Sequence, residues 1–108
     1  MEGDKNTEIV ALCGSTKFKE EFEKANHTLT LEGKVVISVG VFGHTENILL
    51  TKAQKEMLDK IHRQKIDMSN SIMVINVNNY ISSSTRREIE YAQKTGKRVK
   101  YYTDYFAV

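Results

Sequence analysis

Glu88 is the residue of this chain with the most reactive surroundings. It follows the run Ser82-Ser83-Ser84-Thr85-Arg86-Arg87 and precedes Ile89-Glu90-Tyr91-Ala92, with Gly96 closing the stretch. A carboxylate among hydroxyls and guanidinium groups can act as a nucleophile or as a general base. The same residues also have a plainer reading. Thr85-Arg86-Arg87-Glu88 fits the capping box S/T-x-x-E, which places Glu88 in the first turn of a helix with its carboxylate reaching back to an N-cap N–H. That role is worth about 1 kcal/mol of helix stability. Arg86 and Arg87 would hold a phosphate or neutralise Glu88 on the first reading, and would form a solvated face on the second.

A second group is Gly14-Ser15-Thr16-Lys17, between an apolar run and an amphipathic one. Backbone N–H groups, hydroxyls and a lysine at the start of a helix suit an anion; an ordinary capped turn is the equal alternative. No Walker or GxGxxG pattern is present, so neither a P-loop nor a dinucleotide site is expected. His44 lies in a glycine-containing loop, Gly40 to Asn47, and is a candidate for a site. His62 lies in mid-helix, where a boundary role is commoner than a catalytic one. Three histidines and one cysteine show no ligand spacing along the chain, so no metal and no cofactor is expected. Cys13 reads as a buried, inert thiol.

The elements that must position these groups follow from periodicity. Apolar runs at 8–13, 35–39, 72–77 and 98–102 read as strands, the first buried on both faces and the second also buried. Between them lie helices over about 17–32 and 51–69 and the short amphipathic one that holds Glu88. Phe18, Phe22, Ala25 and Leu29 form a core stripe, each phenylalanine contributing roughly 1.5–3 kcal/mol when buried. Ser15 or Thr16 is the expected N-cap of that helix and Gly33 its C′ residue. Met57, Leu58, Ile61 and Met68 are expected to face inward from the longer helix. The tail 103–108, with Tyr105, Phe106 and Val108, is expected to pack, on this chain or on a partner. Strands alternating with helices imply an α/β fold, a small three-layer doubly wound parallel sheet of four to five strands. Three loops then meet at the strand C-terminal edge: 14–17, 40–47 and 78–85.

At 108 residues one domain, 1–108, is expected, with 1–7 a polar tail. A net charge of +2 with no long basic run argues against polymeric nucleic acid as a partner. No apolar run approaches a membrane span and nothing at 1–7 resembles a signal peptide, so no membrane partner is expected. A single cysteine excludes an internal disulfide and suits a reducing, cytoplasmic location.

Cys13-Gly14-Ser15-Thr16-Lys17, together with Glu88-Ile89-Glu90-Tyr91-Ala92 and the later Gly96-Lys97-Arg98-Val99, resembles the nucleoside 2-deoxyribosyltransferase superfamily, which includes nucleotide N-glycosidases. The resemblance runs from about Ile9 to Tyr101. It implies a flavodoxin-like sheet, a homodimer or higher homo-oligomer, and cleavage or transfer at the N-glycosidic bond of a nucleoside or nucleoside 5′-monophosphate. The family's nucleophilic glutamate falls on Glu88, its phosphate-binding serine near Ser82, and its hydroxyl and cation after the first strand on Ser15 and Lys17. Gly14 and Arg86 join these as contacts to phosphate or sugar. His44, His62, Asp67 and Tyr91 are candidates toward the base. His62 stands about where the family carries a helix aspartate, with Asp67 more than a turn later; Ser84, Arg86 and Glu90 stand where it carries glycines. These departures leave a nucleotide-binding module without chemistry as the alternative, and an interaction protein as a third reading.

Overall fold

A computed structural model describes residues 7–43 and 46–106. The chain forms β1 (Ile9–Gly14), α1 (Lys19–Leu31), β2 (Val35–Ile37), α2 (Lys52–Asp67), β3 (Ser71–Ile75), α3 (Ser83–Lys94), β4 (Arg98–Tyr101) and a single-turn α4 (Tyr102–Tyr105). A 3-10 turn at Val77–Asn79 leads from β3 toward α3. Four strands form one sheet in the order β2-β1-β3-β4, every neighbouring pair parallel. This is a flavodoxin-like three-layer α/β fold, with the lower of the two expected strand counts.

The period of two along the strands sorts the core into two layers. Val10, Leu12, Met73 and Ile75 pack with Phe22, Ala25, Leu29 and Tyr102 on the face covered by α1 and α4. Ala11, Cys13, Ile72 and Val74 pack with Ile66 and Ala92 on the face covered by α2 and α3. All of β3 is buried, as a central strand with helices on both faces must be. Residues 103–106 fold back on their own chain: Phe106 stacks on Tyr102 with ring centroids 4.6 Å apart, and the Tyr105 hydroxyl bonds to Glu32; Val108 lies outside the described residues.

Three local expectations are corrected. Helix α1 begins at Lys19 with Phe18 as N-cap and no side-chain cap, because a turn from Phe18 N–H to the Ser15 carbonyl (3.1 Å) delays its start. Ser15 and Thr16 therefore belong to the loop, while Gly33, at φ +89°, follows the helix end as expected. Helix α3 is capped by Ser82, whose hydroxyl accepts the Thr85 N–H at 3.2 Å. Thr85 is thus the third helical residue and buried, and Glu88 moves into the second turn. The reciprocal capping box occurs instead at Thr51 and Gln54 on α2.

The third correction concerns the roll of α2. Met57, Ile61 and Met68 are 52%, 41% and 60% exposed, so they do not face the core. The inner face is Leu58, His62 and Ile66, each one turn from the next, with Leu58 half-buried as expected and Ile66 fully buried. The helix carries apolar residues on two adjacent stripes, and contact of His62 and Ile66 with the sheet selects one of them. Among the described residues no helix is long and apolar enough to cross a membrane.

Candidate functional site

Strand order reverses between β1 and β3, since β2 lies beyond one and β4 beyond the other. The loops after these two strands diverge there and leave a crevice, the usual ligand position in an open α/β sheet. Gly14 ends β1 at this point. A Cβ there would lie 3.0 Å from both Cβ and the carbonyl oxygen of Ile75, and its φ of +154° also suits glycine. The crevice opens as a cleft of about 600 Å³ lined by Ser15, Lys17, Tyr80, Ser82, Ser84 and Glu88, among others. That volume is in the range that holds small organic ligands. A second cavity of about 150 Å³ adjoins it through Gly14, Thr16, Leu58, Asp59 and Glu88, and reaches Val39, His62 and Lys65.

Glu88 lines both spaces. Its Oε2 lies 3.3 Å from Nε2 of His62, and that nitrogen lies 3.3 Å from Sγ of Cys13. Three elements meet here: β1 brings Cys13, α2 brings His62 and α3 brings Glu88. Their ligand-capable atoms all lie within 4.8 Å of one another. Linear spacing cannot reveal such a set, so the expectation of no metal-ligand grouping is revised at the level of geometry. Burial pushes the Glu88 carboxyl up to about 7; the Asp59 charge adds to this and the Arg87 guanidinium opposes it. Burial pulls His62 down to about 4, helped by the Lys65 cation and resisted by Asp59. Lys65 itself donates to the Ser38 carbonyl at 2.8 Å. Burial, with the Glu88 charge, raises the Cys13 thiol well above its ordinary value.

The expected site residues divide into three groups. Gly14, Ser15, Lys17, Ser82, His62 and Glu88 line the two connected spaces. Lys17 is held over aromatic rings, with Nζ 3.6 Å from the Tyr80 centroid and 5.3 Å from that of Phe18. Tyr91 lines only a smaller cavity behind Glu88, with Arg63, Ser84 and Arg87, and its hydroxyl donates to Asp67 at 2.6 Å. Asp67 therefore pairs with Tyr91 outside the cleft. Arg86 is exposed and borders none of these cavities, because its place on α3 turns it away from Glu88; Arg87 is the nearer guanidinium. His44 lies outside the described residues.

Two residues escaped the sequence reading. Asp59 lines both connected spaces and stands one turn before His62 on α2, so an acidic group does accompany the histidine on that helix face. Its spacing of three from His62 was the available signal. Tyr80 stands at the cleft mouth, and no motif marks it.

Fold and site together define a class: a small α/β domain with a ligand-sized cleft at the switch point of a parallel sheet and a half-buried carboxyl in its lining. Residues 11–101 match the family described as "Domain of unknown function (DUF4406)", and the chain belongs to that family. Neither the curated proteins nor the solved structures give a match.

Proposed function

We propose that the protein cleaves the N-glycosidic bond of a nucleoside or nucleoside 5′-monophosphate, with Glu88 as nucleophile. The observation that carries this reading is the position of the Glu88 carboxylate. It lines the switch-point cleft together with Ser15, Ser82, Ser84, Lys17 and Lys55, which bring hydroxyls and cations to the same space. A sugar held with C1′ over Glu88 would have its 5′ end among donors suited to phosphate.

In the first step a Glu88 oxygen bonds to C1′ while the C1′–N bond breaks, and its electron pair leaves with the base, which takes a proton from solvent. In the second step water attacks C1′, Glu88 departs as a carboxylate, and the water proton returns to solvent. The sequence parallels that of retaining glycosidases. A second base in place of water would make the reaction a transfer. His62, neutral and with its proton on Nε2, donates to ionised Glu88 and fixes the carboxylate's orientation; it is a positioning residue.

The test is base release from a panel of nucleosides and 5′-monophosphates by wild type and Glu88→Gln. Ser82 caps α3, so the exchange leaves the cap intact. The expected loss is roughly 10⁴-fold or more, the scale for removal of a nucleophile. Binding of a nucleotide without release of base by the wild type would replace this reading with that of a binding module.

A further inference from the structure

We propose that Cys13, His62 and Glu88 form a site for one soft divalent transition-metal ion of the zinc class. Thiolate, imidazole and carboxylate are the donors such ions take, at about 2.0–2.3 Å. Three donors around one tetrahedral ion stand roughly 3.3–3.7 Å apart. Here His62 Nε2 is 3.3 Å from both Cys13 Sγ and Glu88 Oε2, and the whole set lies within 4.8 Å. Only the Cys13–Glu88 edge has room to close, and Glu88 offers two oxygens for it.

The donors come from β1, α2 and α3, each with its backbone in regular structure. Rigid elements preorganise a metal site better than loops do. The adjoining cavity of about 150 Å³, with Gly14, Thr16, Asp59 and Lys65 in its walls, gives the ion an entry path and space for a water as fourth ligand. Binding displaces to solvent the thiol proton of Cys13 and, where Glu88 is protonated, its carboxyl proton, and leaves the His62 proton on Nδ1 in place of Nε2. If Glu88 is the nucleophile proposed above, an ion here holds the same carboxylate, and the occupied protein is silent; the metal site itself does not rest on that reading.

The test is titration of the metal-free full chain with Co²⁺, read by absorption, followed by competition with Zn²⁺ against a chromophoric chelator. Cys13 is the one cysteine of the sequence, so a thiolate-to-cobalt charge-transfer band reports it without any substitution. The expected result is such a band saturating at one ion per chain and displaced by Zn²⁺. Cys13→Ser should abolish the band. His62→Gln and Glu88→Gln should each weaken Co²⁺ by more than the roughly 10–100-fold that outer-shell changes cost, while His27→Gln, on the exposed face of α1, should not. Absence of the band at saturating Co²⁺, two chains per ion, or affinity indifferent to His62→Gln would overturn the proposal. No substrate enters the experiment, so its failure leaves the base-release result standing, and the reverse holds.

Discussion

Burial rather than charge governs the contact between Glu88 and His62. With the carboxyl pushed up to about 7 and the imidazole held down to about 4, both are neutral between those values. The 3.3 Å pair is then a hydrogen bond between uncharged groups, and it becomes charge-assisted only above about 7. The sign for activity follows. The nucleophile proposed is the ionised form of Glu88, so on that proposal base release by chelator-treated protein should rise with pH and level off above about 7. The measurement is kcat/KM against pH, and a profile flat from about pH 5 to 8 would count against Glu88. This pairing was only half legible in the sequence. Glu88 stood out by its neighbours along the chain. Its contacts did not, because residues 13, 62 and 88 meet only after three elements dock.

At the scale of elements, the close approach of β1 and β3 shapes the crevice. Gly14→Ala would push a Cβ into Ile75, whose Cβ and carbonyl oxygen stand 3.0 Å away. The expected cost is about 1–3 kcal/mol, the range for overpacking, seen as a lower urea midpoint at unchanged slope. Stripe reading succeeded for α1, where Phe22, Ala25 and Leu29 are fully buried and Phe18 packs at the edge. For α2 it failed because apolar residues occupy two stripes. The unburied one leaves Met57, Ile61 and Met68 on the surface. The cap of α3 was misplaced by three residues for a related reason. A run of Ser and Thr offers several equivalent caps, and burial of Thr85 decides among them.

For the molecule as a whole, one carboxylate gathers the sheet at the edge opposite the cleft. Glu8 accepts from Lys100 at 2.8 and 3.0 Å and from the Ser71 hydroxyl at 2.7 Å. Lys34 and Arg98 stand 3.7 and 3.5 Å away. Burial alone would raise its pKa, but the hydrogen bonds from Lys100 and Ser71 and the charges of Lys100 and Lys34 prevail and bring it to about 2. A depressed carboxylate stabilises the fold above its unfolded value, and that contribution is lost as pH falls. Stability should therefore decline from about pH 4.5 toward 2. In Glu8→Gln that part of the decline should be absent, with lower stability at neutral pH. Urea midpoints of the two proteins across that range are the check, and parallel curves would show that Glu8 does not supply the dependence.

Sequence alone determined the alternation of strand and helix, the burial of β1, the α/β class and the edge at which the loops gather, whereas the burial expected of 35–39 fails because β2 is an edge strand with Val35 exposed. Those features are periodic, and periodicity is local. It also singled out Glu88, because hydroxyls and guanidinium groups crowd it within a few residues. Only the tertiary structure decided the strand order, the roll of α2 and the capping residue of α3. It alone brought Asp59 to the cleft and Cys13 and His62 to Glu88. These depend on which faces bury one another, a competition among apolar stripes and polar contacts settled when the layers pack.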